Sequence, residues 1–325
     1  MVQLNEIAGL QMSNEDIAKA IIGTQKSYLF SFPSPKELWE DIKGYLPKMT
    51  QCDFATSVDT SNILTAKSFD LTGLEYHGGT TLSSGALPKW DLLDKAYMVK
   101  RCTINSFGTP LSDAVNEELI YKFCSHLNIE CAYYRTVCVK YFDDESNKEV
   151  ECNATVTKIF DTPLTHYRDI RRKFNLGSVD DEIVEFTDKF KVATKLNDSF
   201  LVDFLFNQQD RHSKNIGMLG NDLSPIFDSG SCLFFEVFDE DLSRGLFSRV
   251  PRHKTFGRPL DELLRFSLKF VHPEFSFKFE ENKIIEALNA SLNSLKALYS
   301  KKRLEFIEGL IKRRVSDVRQ ILSAL

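Results

Sequence analysis

The segment from Phe200 to Gly230 constrains this chain more tightly than any other. Phe200, Leu201, Val202, Phe204, Leu205 and Phe206 form a helix-like apolar run that stops at the polar Asn207-Gln-Gln-Asp210. Ile216, Met218 and Leu219 then read as a short strand. Leu223, Pro225, Ile226 and Phe227 read as a second strand, with Asp228-Ser-Gly230 at its end. A buried helix, a polar loop, a hairpin and a terminal aspartate must therefore follow one another closely.

That frame places three residues of chemical interest. Asp210 and Asn215 stand five apart, and Asp228 closes the hairpin. Phosphoryl transfer from ATP asks for one carboxylate to orient the attacking hydroxyl and for oxygen ligands to hold Mg2+ on the triphosphate. The protein-kinase catalytic loop has the same order, Asp-x-x-x-x-Asn, with a metal-binding Asp-x-Gly downstream. Asn215 and Asp228 both offer hard oxygen ligands, as Mg2+ requires. Taken alone, Asp and Asn at this spacing also serve turns.

Composition narrows the remaining classes. A chain of 325 residues suggests about two domains, and 42% hydrophobic with 27% charged residues is an ordinary globular balance. A net charge of −5 gives no electrostatic reason to expect direct nucleic-acid binding. No signal-peptide pattern and no apolar run of membrane-spanning length stands out, so no membrane partner is expected. Seven cysteines without C-x-x-C spacing fit a reducing compartment, and a cytoplasmic location is the expectation.

Along the chain, residues 1–65 look like a small N-terminal extension of unknown role. Ser13-Asn-Glu-Asp16 and Ser34-Pro-Lys-Glu37 are capping-box patterns that could each start a helix. From about 66, strand-like runs at Phe69–Leu71, Leu82–Leu87 and Ala96–Cys102 precede an amphipathic helix at 113–127. Further strands, Tyr133–Tyr141 and Ala154–Phe160, follow it. That predicts a mostly antiparallel sheet carrying one helix. After about 165 the chain turns helical and ends in two amphipathic helices, Ile284–Leu298 and Leu304–Leu322.

A second constellation lies in the sheet region. Ala96-Tyr-Met-Val-Lys100 puts a lysine on the face of Met98, as the kinase strand signature V-A-I-K does. A strand-end lysine with a solvated head is the plainer alternative. In the 113–127 helix, Ile120 and Cys124 at i+3 and i+7 put Glu117 on the edge of the buried face, while Glu118 is expected to point away. Glu117 could then pair with Lys100, although an early-helix Glu also suits the helix dipole. Upstream, Gly78 and Gly79 in Tyr76-His-Gly-Gly-Thr-Thr-Leu-Ser-Ser-Gly85 would let backbone amides approach phosphates. No Walker A motif is present.

These residues resemble the HipA-like Ser/Thr kinase family of bacteria. Asp210-Arg-His-Ser-Lys-Asn215 is similar to that family's Asp-x-His-x-Lys-Asn catalytic motif, and Leu223 to Leu233 is similar to its metal-binding segment. Phe69-Asp-Leu-Thr-Gly73, Gly78-Gly79, Tyr97-Met-Val-Lys100 and Glu117 fall in the order that the family uses. The resemblance covers about 66 to 325 and is strongest between 200 and 235. It implies an α+β, two-lobed protein-kinase-like fold, with a small antiparallel-sheet lobe carrying one helix (66–162) and a larger, mostly helical lobe (163–325).

The resemblance implies ATP and Mg2+ as cofactors. Asp210 would be the base or hydroxyl orienter, Asn215 and Asp228 the metal ligands, Lys100 a phosphate holder and Glu117 its orienter. His212 would point toward the transferred phosphate, although an exposed loop histidine needs no such role. The strand Thr157-Lys158-Ile159-Phe160 resembles the hinge whose backbone contacts adenine. A protein Ser/Thr hydroxyl is the implied acceptor, with a translation factor or aminoacyl-tRNA synthetase as target class and an antitoxin protein as partner. In some members a serine of the glycine loop is autophosphorylated, a part that Ser83 or Ser84 could play. Two departures stand out: Thr80 to Ser84 replaces the Lys or Gln that often follows the glycines, and residues 1–65 do not match the family's N-terminal subdomain.

Two rivals remain open. Phosphoinositide kinases also use Asp-Arg-His-x-x-Asn, but residues 231–260 lack a dense lysine run, since Arg244, Arg249, Arg252, His253, Lys254 and Arg258 alternate with acids and aromatics. A small-molecule phosphotransferase is a weaker version of the same rival. From another class, a regulatory pseudokinase module would keep the fold without turnover.

Overall fold

The computed structural model describes residues 66–74, 87–92, 96–105, 108–143, 147–177, 181–278 and 280–325, the side chains of 272–278 excepted. The two capping boxes before residue 66, the glycines 78 and 79, Ser83, Ser84 and most of the expected Leu82–Leu87 strand lie outside these residues.

Five strands form the first sheet: β1 (Ser68–Asp70), β2 (Lys89–Leu92), β3 (Tyr97–Arg101), β4 (Tyr134–Asp143) and β5 (Lys148–Lys158). Their order is β1-β4-β5-β3-β2, antiparallel throughout except for the parallel β1–β4 pair. Side chains alternate between faces, and the register makes the two faces chemically different. Trp90, Val99 and Val156 lie directly across from one another and belong to a buried apolar cluster with Phe69, Val137, Val139 and Tyr141. The opposite face carries Lys89, Lys100, Thr155 and Thr136, also in direct register. One face therefore supplies cohesion and the other polar groups.

Helix α1 (Asp113–His126) crosses that polar face. The remaining chain contains α2 (Tyr167–Phe174), α3 (Glu182–Phe190), α4 (Ala193–Leu205), α5 (Leu260–Lys278), α6 (Glu281–Leu295) and α7 (Lys301–Ser323). Local chemistry sets several of their ends. Asp181 accepts the Ile183 N–H at the start of α3, and Ser300 accepts the Arg303 N–H at the start of α7. Asn175, in the left-handed region at φ 52, ends α2. A large apolar cluster unites these helices, and Val115, Leu119, Ile120, Phe123 and Cys124 of α1 belong to it. Full burial of a side chain of that size contributes roughly 1.5–3 kcal/mol, so the apolar side of α1 is anchored mainly in the helical core.

A small second sheet, β6 (Leu164–His166), β7 (Gly217–Leu219) and β8 (Asp222–Leu223), sits among the helices. Here the structure departs from the expected hairpin, because its second strand ends at Leu223. Pro225 has no N–H to give a ladder, and Ile226 pairs elsewhere. It donates to the Glu130 carbonyl and accepts from the Ala132 N–H, at 2.9 and 2.8 Å, forming a parallel bridge at Cys131. Glu118 also departs from expectation. It is buried, and its carboxylate accepts the Thr136 backbone N–H at 2.6 Å, because a β4 amide beyond the reach of β1 needs a partner. Among the described residues six cysteines are free thiols, and no helix is long and apolar enough to cross a membrane.

Candidate active site

Lys100 ends the polar-face run of β3 and is nearly buried. Its ammonium donates to a Glu117 carboxylate oxygen and, at 2.8 Å, to Oδ1 of Asp228. Glu117 is held from its other side by the Thr155 hydroxyl, which donates to Oε2 at 2.7 Å. Burial by itself would lower the Lys100 pKa. The Asp228 and Glu117 carboxylates overcome it and push the ammonium well above its ordinary value. Burial lifts the Glu117 carboxyl above its usual range against the pull of Lys100. The charge of Lys100 holds the Asp228 carboxyl down at about 2 against its partial desolvation. Lys89, directly across β2–β3 from Lys100, adds to that field. Sequence spacing gave no sign of Lys89, since its place depends on strand register.

Asp228 takes a left-handed backbone conformation, φ 53, which a short polar residue tolerates better than most. Its N–H donates to the Tyr134 hydroxyl at 2.8 Å. The side chain remains 46% exposed, so Oδ1 meets Lys100 while the carboxylate still faces solvent. Two residues on, Gly230 packs so closely on α1 that an added Cβ would lie 2.9 Å from the Asp113 carbonyl oxygen. Asn116 of α1 donates to the Gly230 and Cys232 carbonyls at 3.3 and 3.1 Å and accepts from the Tyr299 hydroxyl at 2.8 Å. The helix that carries Glu117 is thereby tied to the segment that carries Asp228.

On the helical side, Asp210 to Asn215 forms a tight loop. The His212 N–H donates to the Asp210 carbonyl and the Asn215 N–H to the His212 carbonyl, both at 2.8 Å. Arg211 fixes this loop from beneath. Only 1% exposed, it forms a two-pronged ion pair with Asp203 of α4, with contacts of 2.8 and 3.0 Å. It donates to Ser229 Oγ at 2.8 Å, and one nitrogen reaches both the Asn215 carbonyl, at 3.3 Å, and the Phe227 carbonyl. Asn215 and the residue before Asp228 thus share one guanidinium, which ties together the backbones of the two segments that carry the candidate metal ligands. The Asn215 amide nitrogen donates to the Asp210 carbonyl at 3.2 Å, leaving its amide oxygen as an available ligand.

The other expected residues fall as follows. His212 is half-buried, with Nδ1 accepting the Lys214 N–H at 3.3 Å. The Lys158 ammonium is in solvent and pairs with Asp161 at 2.9 Å. Phe160 sets its ring edge-on to Phe227, centroids 5.8 Å apart.

The donor set suits Mg2+. Asn215 and Asp228 offer oxygen ligands, and among the described residues no three His, Cys, Asp or Glu side chains gather as a complete metal cage. A cation held by one or two protein oxygens with substrate phosphates completing its shell matches that supply.

No protein-family profile matches the chain, and no curated protein matches it. Solved structures do. The Helicobacter pylori proinflammatory kinase CtkA aligns over 79% of this chain and 99% of its own, at 17% identity and a TM-score of 0.51. HipA of Shewanella oneidensis MR-1, from the toxin–antitoxin complex with HipB and operator DNA, aligns over 97% of this chain and 84% of its own, at 13% identity and a TM-score of 0.40. At such identity the likeness speaks to fold: this is a mixed α and β kinase-like fold. The HipA-like resemblance itself is carried by the motifs between 200 and 235.

Proposed function

We propose that this chain is a HipA-like kinase that uses Mg2+ and ATP and transfers the γ-phosphate to a Ser or Thr hydroxyl of a protein. The observation that carries this reading is the bonding of Lys100 to both Glu117 and Asp228. That contact sits opposite a loop where Arg211 holds Asn215 beside the Asp228 segment.

Bound Mg-ATP would supply the phosphoryl group and neutralise charge on the triphosphate. The residues of the chain do the rest. Asn215 and Asp228 would hold the metal, and Lys100, kept charged by its two carboxylates, would steady the phosphates. Asp210 would orient the acceptor hydroxyl and take its proton, with His212 beside the transferred group. The backbone around Lys158 and Phe160 would border the adenine. The Gly78 and Gly79 turn would cover the phosphates.

Incubating the protein with γ-labelled ATP and Mg2+, alone and with casein, tests this. Asp228→Asn is expected to lose labelling by about 10²–10⁴-fold, the range for a group acting directly on the transition state, while its circular dichroism stays that of the wild type. Equal labelling by wild type and variant would overturn the metal assignment. Transfer to phosphoinositide vesicles but not to protein would replace the protein acceptor with a lipid.

A further inference from the structure

Asp210 is 34% exposed at the side chain, and its carboxylate has one side-chain partner among the described residues. Lys254 donates to Oδ1 at 2.6 Å, from a position 44 residues downstream. An exposed lysine ordinarily leaves its head in water, but this one stands on a built support. The neighbouring His253 is buried, and its Nδ1 accepts the Thr255 and Phe256 N–H groups at 3.2 and 3.4 Å. The Thr255 N–H and hydroxyl both donate to the Arg211 carbonyl, at 3.2 and 3.0 Å. The rings of Phe200 and Phe256 pack on His253 at 5.5 and 5.0 Å. Residues 253–256 are thereby seated on the loop that carries Asp210.

A surface ion pair adds only about 0–1 kcal/mol to stability. Its effect here is on direction: with Oδ1 held by Lys254, Oδ2 is left to meet a hydroxyl. We infer that Lys254 is a positioning residue for phosphoryl transfer, fixing the Asp210 carboxylate toward the acceptor and acting through Asp210 rather than on the nucleotide. The inference rests on the kinase reading above.

The test is a double-mutant cycle on the full chain, read by steady-state transfer from Mg-ATP and by binding of a fluorescent ATP analogue. Lys254→Met is expected to lower kcat by about 10–100-fold, the scale of a misplaced catalytic group. Nucleotide affinity should stay within about 2-fold, and Lys254→Arg should recover most of the loss. In an Asp210→Asn background the same Lys254→Met change should cost less than about 2-fold. Equal losses in both backgrounds, or weakened nucleotide binding by Lys254→Met, would overturn the proposal and leave the kinase reading standing. A wild type that binds nucleotide and transfers nothing would end both.

Discussion

The sheet wall and the helical wall of the candidate site hold their polar groups by different means. On the sheet side, Lys100, Glu117, Asp228 and Thr155 bond to one another, so the candidate site residues are themselves the framework. On the helical side the framework is a separate pair, Arg211 and Asp203, both almost wholly buried. Asp210 and the Asn215 amide oxygen are only supported by it. A substitution on the sheet side therefore lowers stability and alters chemistry together without changing the fold, while on the helical side the two are separable.

The strongest test of that contrast is Arg211→Met, which strands the Asp203 carboxylate without compensation. It should cost about 3–5 kcal/mol in urea unfolding, and adding Asp203→Leu should recover much of it. A loss below about 1 kcal/mol would show that the pair is not the framework of the helical wall.

Acid sharpens the contrast. Burial, reinforced by the Arg211 charge, holds the His253 pKa at about 3, so this ring is neutral beside Asp203 although the two lie 3.8 Å apart. In the unfolded chain it titrates near 6.5. Between those values the unfolded state binds a proton that the native state refuses, so stability is full above about pH 6.5 and falls below it. The loss from this group should reach about 2 kcal/mol by pH 5. Urea midpoints at pH 7.5 and 5 for wild type and His253→Phe measure it, and an equal slope in both proteins would contradict a buried neutral ring. Asp228, with its pKa held at about 2, acts in another window. Its stabilising charge is complete above about pH 4 and is lost as pH falls through 2. Mild acid should therefore loosen the helical wall first.

The smallest effect is expected at the margin of the sheet. Lys158→Ala removes an exposed pair with Asp161 and should leave stability within about 0.5 kcal/mol and nucleotide affinity within about 2-fold. A larger drop in affinity would give the Lys158 side chain a part in the cleft.

What could be read in advance follows from the range of each interaction. Asp210, Asn215, Asp228, Lys100 and Glu117 stood out because strand alternation, helix spacing and loop length are local patterns, although the meeting of Lys100 with Asp228, 128 residues on, is tertiary. The two long terminal helices were legible for the same reason. Arg211 was in plain view inside the motif, yet its pairing with Asp203 depends on how α4 meets the loop. Lys254 and Lys89 were obscure because one reaches its partner over 44 residues and the other through strand register. The Pro225–Phe227 run looked like a strand by composition, and only the distant Cys131 stretch could show where it pairs. The parallel β1–β4 contact joins residues about 70 apart and left no local mark.

Asn116, locked between Tyr299 and the carbonyls of Gly230 and Cys232, makes α1 a member shared by two parts of the molecule. The apolar side of that helix joins the helical core, while Asp113 and Glu118 accept the Thr103 and Thr136 N–H groups of the sheet region. The Lys100–Glu117 bond is a further tie between α1 and the sheet. An anion that drew Lys100 aside would therefore disturb Glu117 and Asp228 together.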